Sequence, residues 1–114
     1  MTIARERQRA YQQDLLTALE IELRPHETTT VLIVDGGGQP CLEVVDRHFR
    51  NRRVYVQMAF HWFYWGDQHD ERTSSLHLLK AAERIAAAAR EGWHEGEQGA
   101  LSVNVGKIAD AYRG

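Results

Sequence analysis

Residues 54 to 65 read VYVQMAFHWFYW, the longest β-prone run in the chain. β-branched and aromatic side chains suit a pleated, half-buried surface, and neither Gly nor Pro interrupts the stretch. Read as one strand with period 2, it places Val54, Val56, Met58, Phe60, Trp62 and Tyr64 on one face. Tyr55, Gln57, Ala59, His61, Phe63 and Trp65 fall on the other. Both faces are largely apolar. A sheet with such a strand needs cover on both sides, because Tyr55, Phe63 and Trp65 together are too large an apolar surface to leave in water.

The flanking sequence supplies one layer of cover. From Thr2 to about Leu23 the residues are good helix formers, and Tyr11, Leu15, Ala18, Leu19 and Leu23 recur at three- and four-residue steps. Pro25 ends this helix by pushing the residue before it out of the helical region. The β-branched stretch Thr28 to Val34, the turn DGGGQP and the apolar stretch Cys41 to Val45 form a hairpin. After the aromatic run and a polar turn, Thr73 or Ser74 is placed to cap a helix reaching Gly92, with Leu78, Ala82, Ile85 and Ala89 inward. The expected fold is α+β: one domain over 1–114, with a helix over 1–24, a three-stranded antiparallel sheet over 28–66, a helix over 73–91 and a tail over 92–114. Part of that tail, residues 101–112, is expected to dock as a strand or short helix.

Composition excludes several classes. The net charge of −2 gives no global attraction to nucleic acid or an anionic membrane. A single cysteine, Cys41, permits neither an internal disulfide nor a Cys-based zinc site, and fits a reducing cytoplasm. The start MTIARERQRAYQQ has no apolar run behind its charges, and no stretch approaches a membrane span, so export by a signal peptide and membrane insertion are not expected. Twelve of the fourteen basic residues are Arg and Ala is abundant, as in proteins of GC-rich bacteria.

Four segments invite chemistry. HWFYWGDQHDE, residues 61–71, contains His61, His69 and Asp70, donors that suit a divalent ion, although their spacing matches no specific motif. RHFRNRR supplies Arg47, Arg50, Arg52 and Arg53 for phosphates, beside aromatics on which bases stack. VDGGGQP resembles a phosphate loop only until Pro40, where a β-prone run follows instead of a helix, so it reads as a hairpin turn. Cys41 reads as a small buried hydrophobe, and Ser74 and Ser75 as cap residues without a nucleophile elbow. No catalytic residue and no cofactor is expected.

The strand ending HWFYWGD, the polar turn and the helix AAERIAAAARE resemble a broad set of small actinobacterial proteins of unknown function. In these a Trp-x-x-Trp-Gly strand is followed by a polar turn and a final helix. The resemblance spans about residues 28 to 91. It implies a helix-and-sheet fold and a regulatory or accessory role, and supplies no catalytic residues. VYVQMAFHWFYW departs from it in lacking an obvious turn where those proteins often break the run into two strands. The helix, three strands, helix order is also similar to secretion-chaperone-like folds, which bind protein partners as dimers.

The expectation is therefore a non-enzymatic cytoplasmic interaction module. It forms a homodimer through Tyr55, His61, Phe63 and Trp65, turns Trp62 and Tyr64 to the core, and binds a protein partner elsewhere. The alternatives are nucleic-acid binding through Arg47, Arg50, Arg52 and Arg53, and a small metal-dependent enzyme or sensor using His61, His69 and Asp70.

Overall fold

The computed structural model describes residues 2–94, so the expected docked tail lies outside the described residues apart from its first three positions. Helix α1 (Thr2–Leu23) ends in a single 3-10 turn, Arg24–His26, with Pro25 inside it. Its buried stripe is Gln12, Leu16, Leu19 and Leu23, while Tyr11 is exposed. The expected stripe is met in its second half and not in its first. Leu19 and Leu23 belong to both stripes; towards the start of the helix Gln12 and Leu16 turn inward in place of Tyr11 and Leu15.

The sheet has five strands, not three: β1 (Thr30–Val34), β2 (Pro40–Val45), β3 (Asn51–Gln57), β4 (Trp62–Tyr64) and β5 (Arg72–Ser74). They form an antiparallel meander in chain order. The run 54–65 is thus two strands joined at Met58–His61, and Thr73 and Ser74 are strand residues rather than helix caps. Helix α2 (Leu78–Glu91) begins after them, with His77 at its start making no side-chain cap bond.

The first three hairpins use one turn geometry. In each, an N–H three residues on bonds back to the first carbonyl: Gly38 to Asp35 at 3.0 Å, Phe49 to Asp46 at 3.0 Å, and His61 to Met58 at 3.4 Å. The donor is left-handed every time, with φ of 84°, 62° and 54°. This is a three-residue loop whose last member takes positive φ, a conformation that favours glycine. Only the first turn has one. Asp35 and Asp46 also grip their own turns, each Oδ1 accepting two backbone N–H groups at 2.8–2.9 Å.

The third turn changes which aromatics face inward. β3 and β4 pair with Val56 opposite Phe63 and Tyr55 opposite Tyr64. Even-numbered residues of β3 therefore share a face with odd-numbered residues of β4. Phe63 (0% exposed) and Trp65 (2%) lie in the core with Val54 and Val56. The expected assignment is reversed: Trp62 and Tyr64 stand on the opposite face beside Tyr55.

α1 packs across β1, β2 and β3, and α2 lies beside it against β5. The inner stripe of α2 is Ala81, Ala82, Ile85, Ala86 and Ala89, and this mostly alanine face packs beside α1. Trp93 closes the lower end of this cluster. Its backbone N–H and indole N–H donate to Asp46 Oδ2 and Arg50 O, each at 2.9 Å. The same end holds a buried ion pair, Arg52 to Glu71 at 3.1 Å. Glu71 occupies the space where a side chain on Gly66 would start, which is why glycine follows Trp65. No described helix is long and apolar enough to cross a membrane.

Candidate functional site

The outer face of the sheet, opposite Phe63 and Trp65, carries an aromatic ladder, whose Tyr55 and Tyr64 end reaches the first half of α1 at the ends of the strands. Tyr55 and Tyr64 stack at 5.8 Å between ring centroids, and Phe60 and Trp62 stack at 5.0 Å. The Arg72 guanidinium sits 4.3 Å above the Trp62 ring, close enough for a cation–π contact. His69 Nδ1 lies 2.7 Å from the same guanidinium. Of the four residues expected to make an interface, Tyr55 is on this face but nearly covered, His61 is exposed in the third turn, and Phe63 and Trp65 belong to the core. Phe63 and Trp65 contact another chain only if this fold opens. Trp62 and Tyr64, expected inside, take their place.

Strand β1 is an open edge. Val45 N–H donates to Thr29 O at 3.0 Å and Asp35 N–H to Gln39 O at 2.9 Å. Because bonded pairs alternate along an antiparallel ladder, the odd-numbered residues of β1 bond to β2. The N–H and C=O groups of Thr30, Leu32 and Val34 therefore point away from the sheet. The edge reads TVLIV, without a charge, a proline or a bulge, and Val31 and Val34 are exposed. Natural edges are usually blunted by such devices. The opposite edge, β5, is short and carries Arg72.

The four arginines do not form a basic stripe. Arg52 is buried on Glu71, with further bonds to Trp65 O at 3.3 Å and His94 O at 2.9 Å. Arg50 is held by Asp46 at 3.0 Å and by Trp93 O at 2.7 Å. Arg53 faces Glu43 at 3.5 Å on the outer face, where Tyr55 also contacts it. Arg47 alone of the four is exposed and makes no ion pair among the described residues. Three of these side chains hold the fold together, a role hidden in the sequence because their acids lie at separations of up to 19 residues.

His61, His69 and Asp70 are likewise dispersed. His61 is in the β3–β4 turn, His69 turns to Arg72, and Asp70 accepts from His94 at 2.8 Å. Among the described residues no three His, Cys, Asp or Glu side chains gather as a metal ion requires. The His94 contact lowers the pKa of Asp70 and raises that of His94. Cys41 is fully buried between strands, and burial pushes its thiol up to about 11, far from a reactive thiolate.

The residue that sequence reasoning missed is Asp46. Its side chain has no exposed surface. Burial by itself would raise its pKa, but the N–H groups of Arg50, Trp93 and His48 and the Arg50 guanidinium outweigh that and hold it down at about 2. One carboxylate thus ties the second turn to the end of α2. No family model matches this sequence, and no curated protein or solved structure is significantly similar to it.

Proposed function

We propose that this protein is a non-enzymatic interaction module of accessory or regulatory type, working in the cytoplasm, that self-associates by joining its sheet to that of a second copy along β1. The observation that carries this reading is the uncharged open edge at Thr30–Val34. A two-fold axis at Leu32 pairs Thr30 with Val34 of the second copy and Leu32 with its own equivalent. The outward N–H and C=O groups of Thr30, Leu32 and Val34 then bond across the axis. Val31 meets Ile33 on the outer face, and Leu32 meets Leu32 on the inner one. No charge opposes another, so the pairing carries no like-charge penalty. The joined sheet has ten strands and presents two aromatic ladders on one side, a surface rich in the residue types that anchor protein partners.

Light scattering on a sizing column tests it. The expected mass is twice 13.1 kDa. Val31→Lys places a charge on the pairing face, and Val34→Pro removes an N–H that the β1–β2 ladder does not use. Each variant is expected to remain folded by circular dichroism and to run as a monomer. A wild-type protein that stays monomeric at high micromolar concentration would sink the reading.

A further inference from the structure

A cavity of about 240 Å³ opens where the first half of α1 crosses the ends of the strands. It is lined by Gln8 and Gln12 of α1, Asp35 and Gln39 of the first turn, and Tyr55, Val56, Gln57, Met58 and Tyr64 of the β3–β4 hairpin. Four of the nine are glutamines, from three separate parts of the chain, and no Lys, Arg or His is among them. Such a lining has no means of neutralising a phosphate or carboxylate.

Gln12 is the telling residue. It is 6% exposed, on the buried stripe of α1, where the next three members are leucines. Its carboxamide makes no hydrogen bond to the described residues, and its neighbours leave it facing the cavity. It lines the cavity and its amide keeps access to that space, so a bound molecule can reach it. Leucine at this position would complete the apolar stripe. Tyr64 is similar: its hydroxyl has no bonding partner among the described residues, and burial pushes its pKa up to about 12, so it remains a neutral donor. Asp35, by contrast, is already satisfied. Its Oδ1 accepts from Gly37 and Gln39, and its Oδ2 from Tyr55 at 2.9 Å. It does not call for a cation.

We propose that this cavity binds an uncharged planar molecule of nucleobase or nucleoside size, gripped by the Gln12 and Gln57 carboxamides and by the Tyr64 hydroxyl. A primary amide offers a donor and an acceptor side by side, which matches the edge of a base bidentately. Gln57 is anchored by its Oε1, which accepts Ala59 N–H at 3.2 Å, and contributes its NH₂ group as a donor. The volume lies below that of typical drug-sized sites, which limits the occupant to a small ligand. Met58 and Val56 give the apolar floor that a ring requires. The site lies at the opposite end of β1 from Thr30 and uses no β1 side chain, so this inference is independent of the self-association reading.

The test is calorimetric titration of the full chain with adenosine, guanosine, cytidine and uridine, and with the corresponding free bases, beside a set of monosaccharides. One nucleoside or its base is expected to bind with a sub-millimolar Kd and to raise Tm. Gln12→Leu is expected to weaken that binding at least tenfold while Tm of the unliganded protein rises or stays the same. Tyr64→Phe, which keeps the ring, is expected to weaken it several-fold and serves if Gln12→Leu misfolds. Binding of monosaccharides alone, absence of binding by every base and nucleoside, or binding unchanged by both substitutions would overturn the proposal.

Discussion

Replacing Asp46 with Asn keeps its shape and removes its charge, and the structure sets the size and pH dependence of the effect. The folded carboxyl sits at about 2 against an ordinary 3.8. At about 1.4 kcal/mol per pH unit, that gap corresponds to about 2 kcal/mol of stability from the ionised form. The folded pKa is the lower one, so this contribution is complete above about pH 5 and fades as pH falls from 4 towards 2. Asp46→Asn is expected to lose about 2 kcal/mol at pH 7 in urea unfolding followed by tryptophan fluorescence. Because its amide cannot titrate, the gap between wild type and variant should narrow steadily between pH 4 and pH 2.5. Asp46→Ala also strands the N–H groups of His48, Arg50 and Trp93, and is expected to cost about 3–4 kcal/mol. A gap that stays constant across the acid range would refute the reasoning, since it would mean that the carboxyl titrates alike in both states.

Two further substitutions probe the turns and the buried pair. Phe49 is 89% exposed and holds φ of 62°, so Phe49→Gly gives up almost no packing and relieves left-handed strain; a gain of about 0.5–1 kcal/mol in urea unfolding is expected, and a loss would show that the phenyl ring has a contact of its own. Gly66→Ala drives a Cβ into the Glu71 carboxylate and pulls it from Arg52, leaving a buried charge without its partner; a loss of about 3–5 kcal/mol is expected, and a change below 1 kcal/mol would mean that the pair moves freely.

Local pattern alone located α1, the β1–β2 hairpin with its glycine turn, and the body of α2. Each rests on signals carried by neighbouring residues: leucines at helical spacing, Pro25 at a helix end, glycines where positive φ is needed. The candidate site was legible only in part, since the aromatic strand face was visible but the identity of its residues was not. The reason is a single backbone angle. His61 takes the left-handed conformation that Gly38 takes in the first turn, and nothing in its side chain announces it. A run without a glycine reads as one strand, and the missed turn shifts the alternation by one, exchanging Phe63 and Trp65 with Trp62 and Tyr64. Those inside positions are settled by the pairing of Val56 with Phe63, a contact between strands.

The arginine segment teaches the same lesson with charge. Sequence establishes that Arg47, Arg50, Arg52 and Arg53 are close along the chain, and proximity suggests a common partner. Alternation along β3 sends Arg52 inward and Arg53 outward, and each meets a different acid. What the sequence by itself determined is which segments are helical or extended and how much apolar surface they must hide. Tertiary structure decided which face each side chain occupies and which charges meet, because those depend on turn angles and pairing register that bring together residues as distant as Asp46 and Trp93.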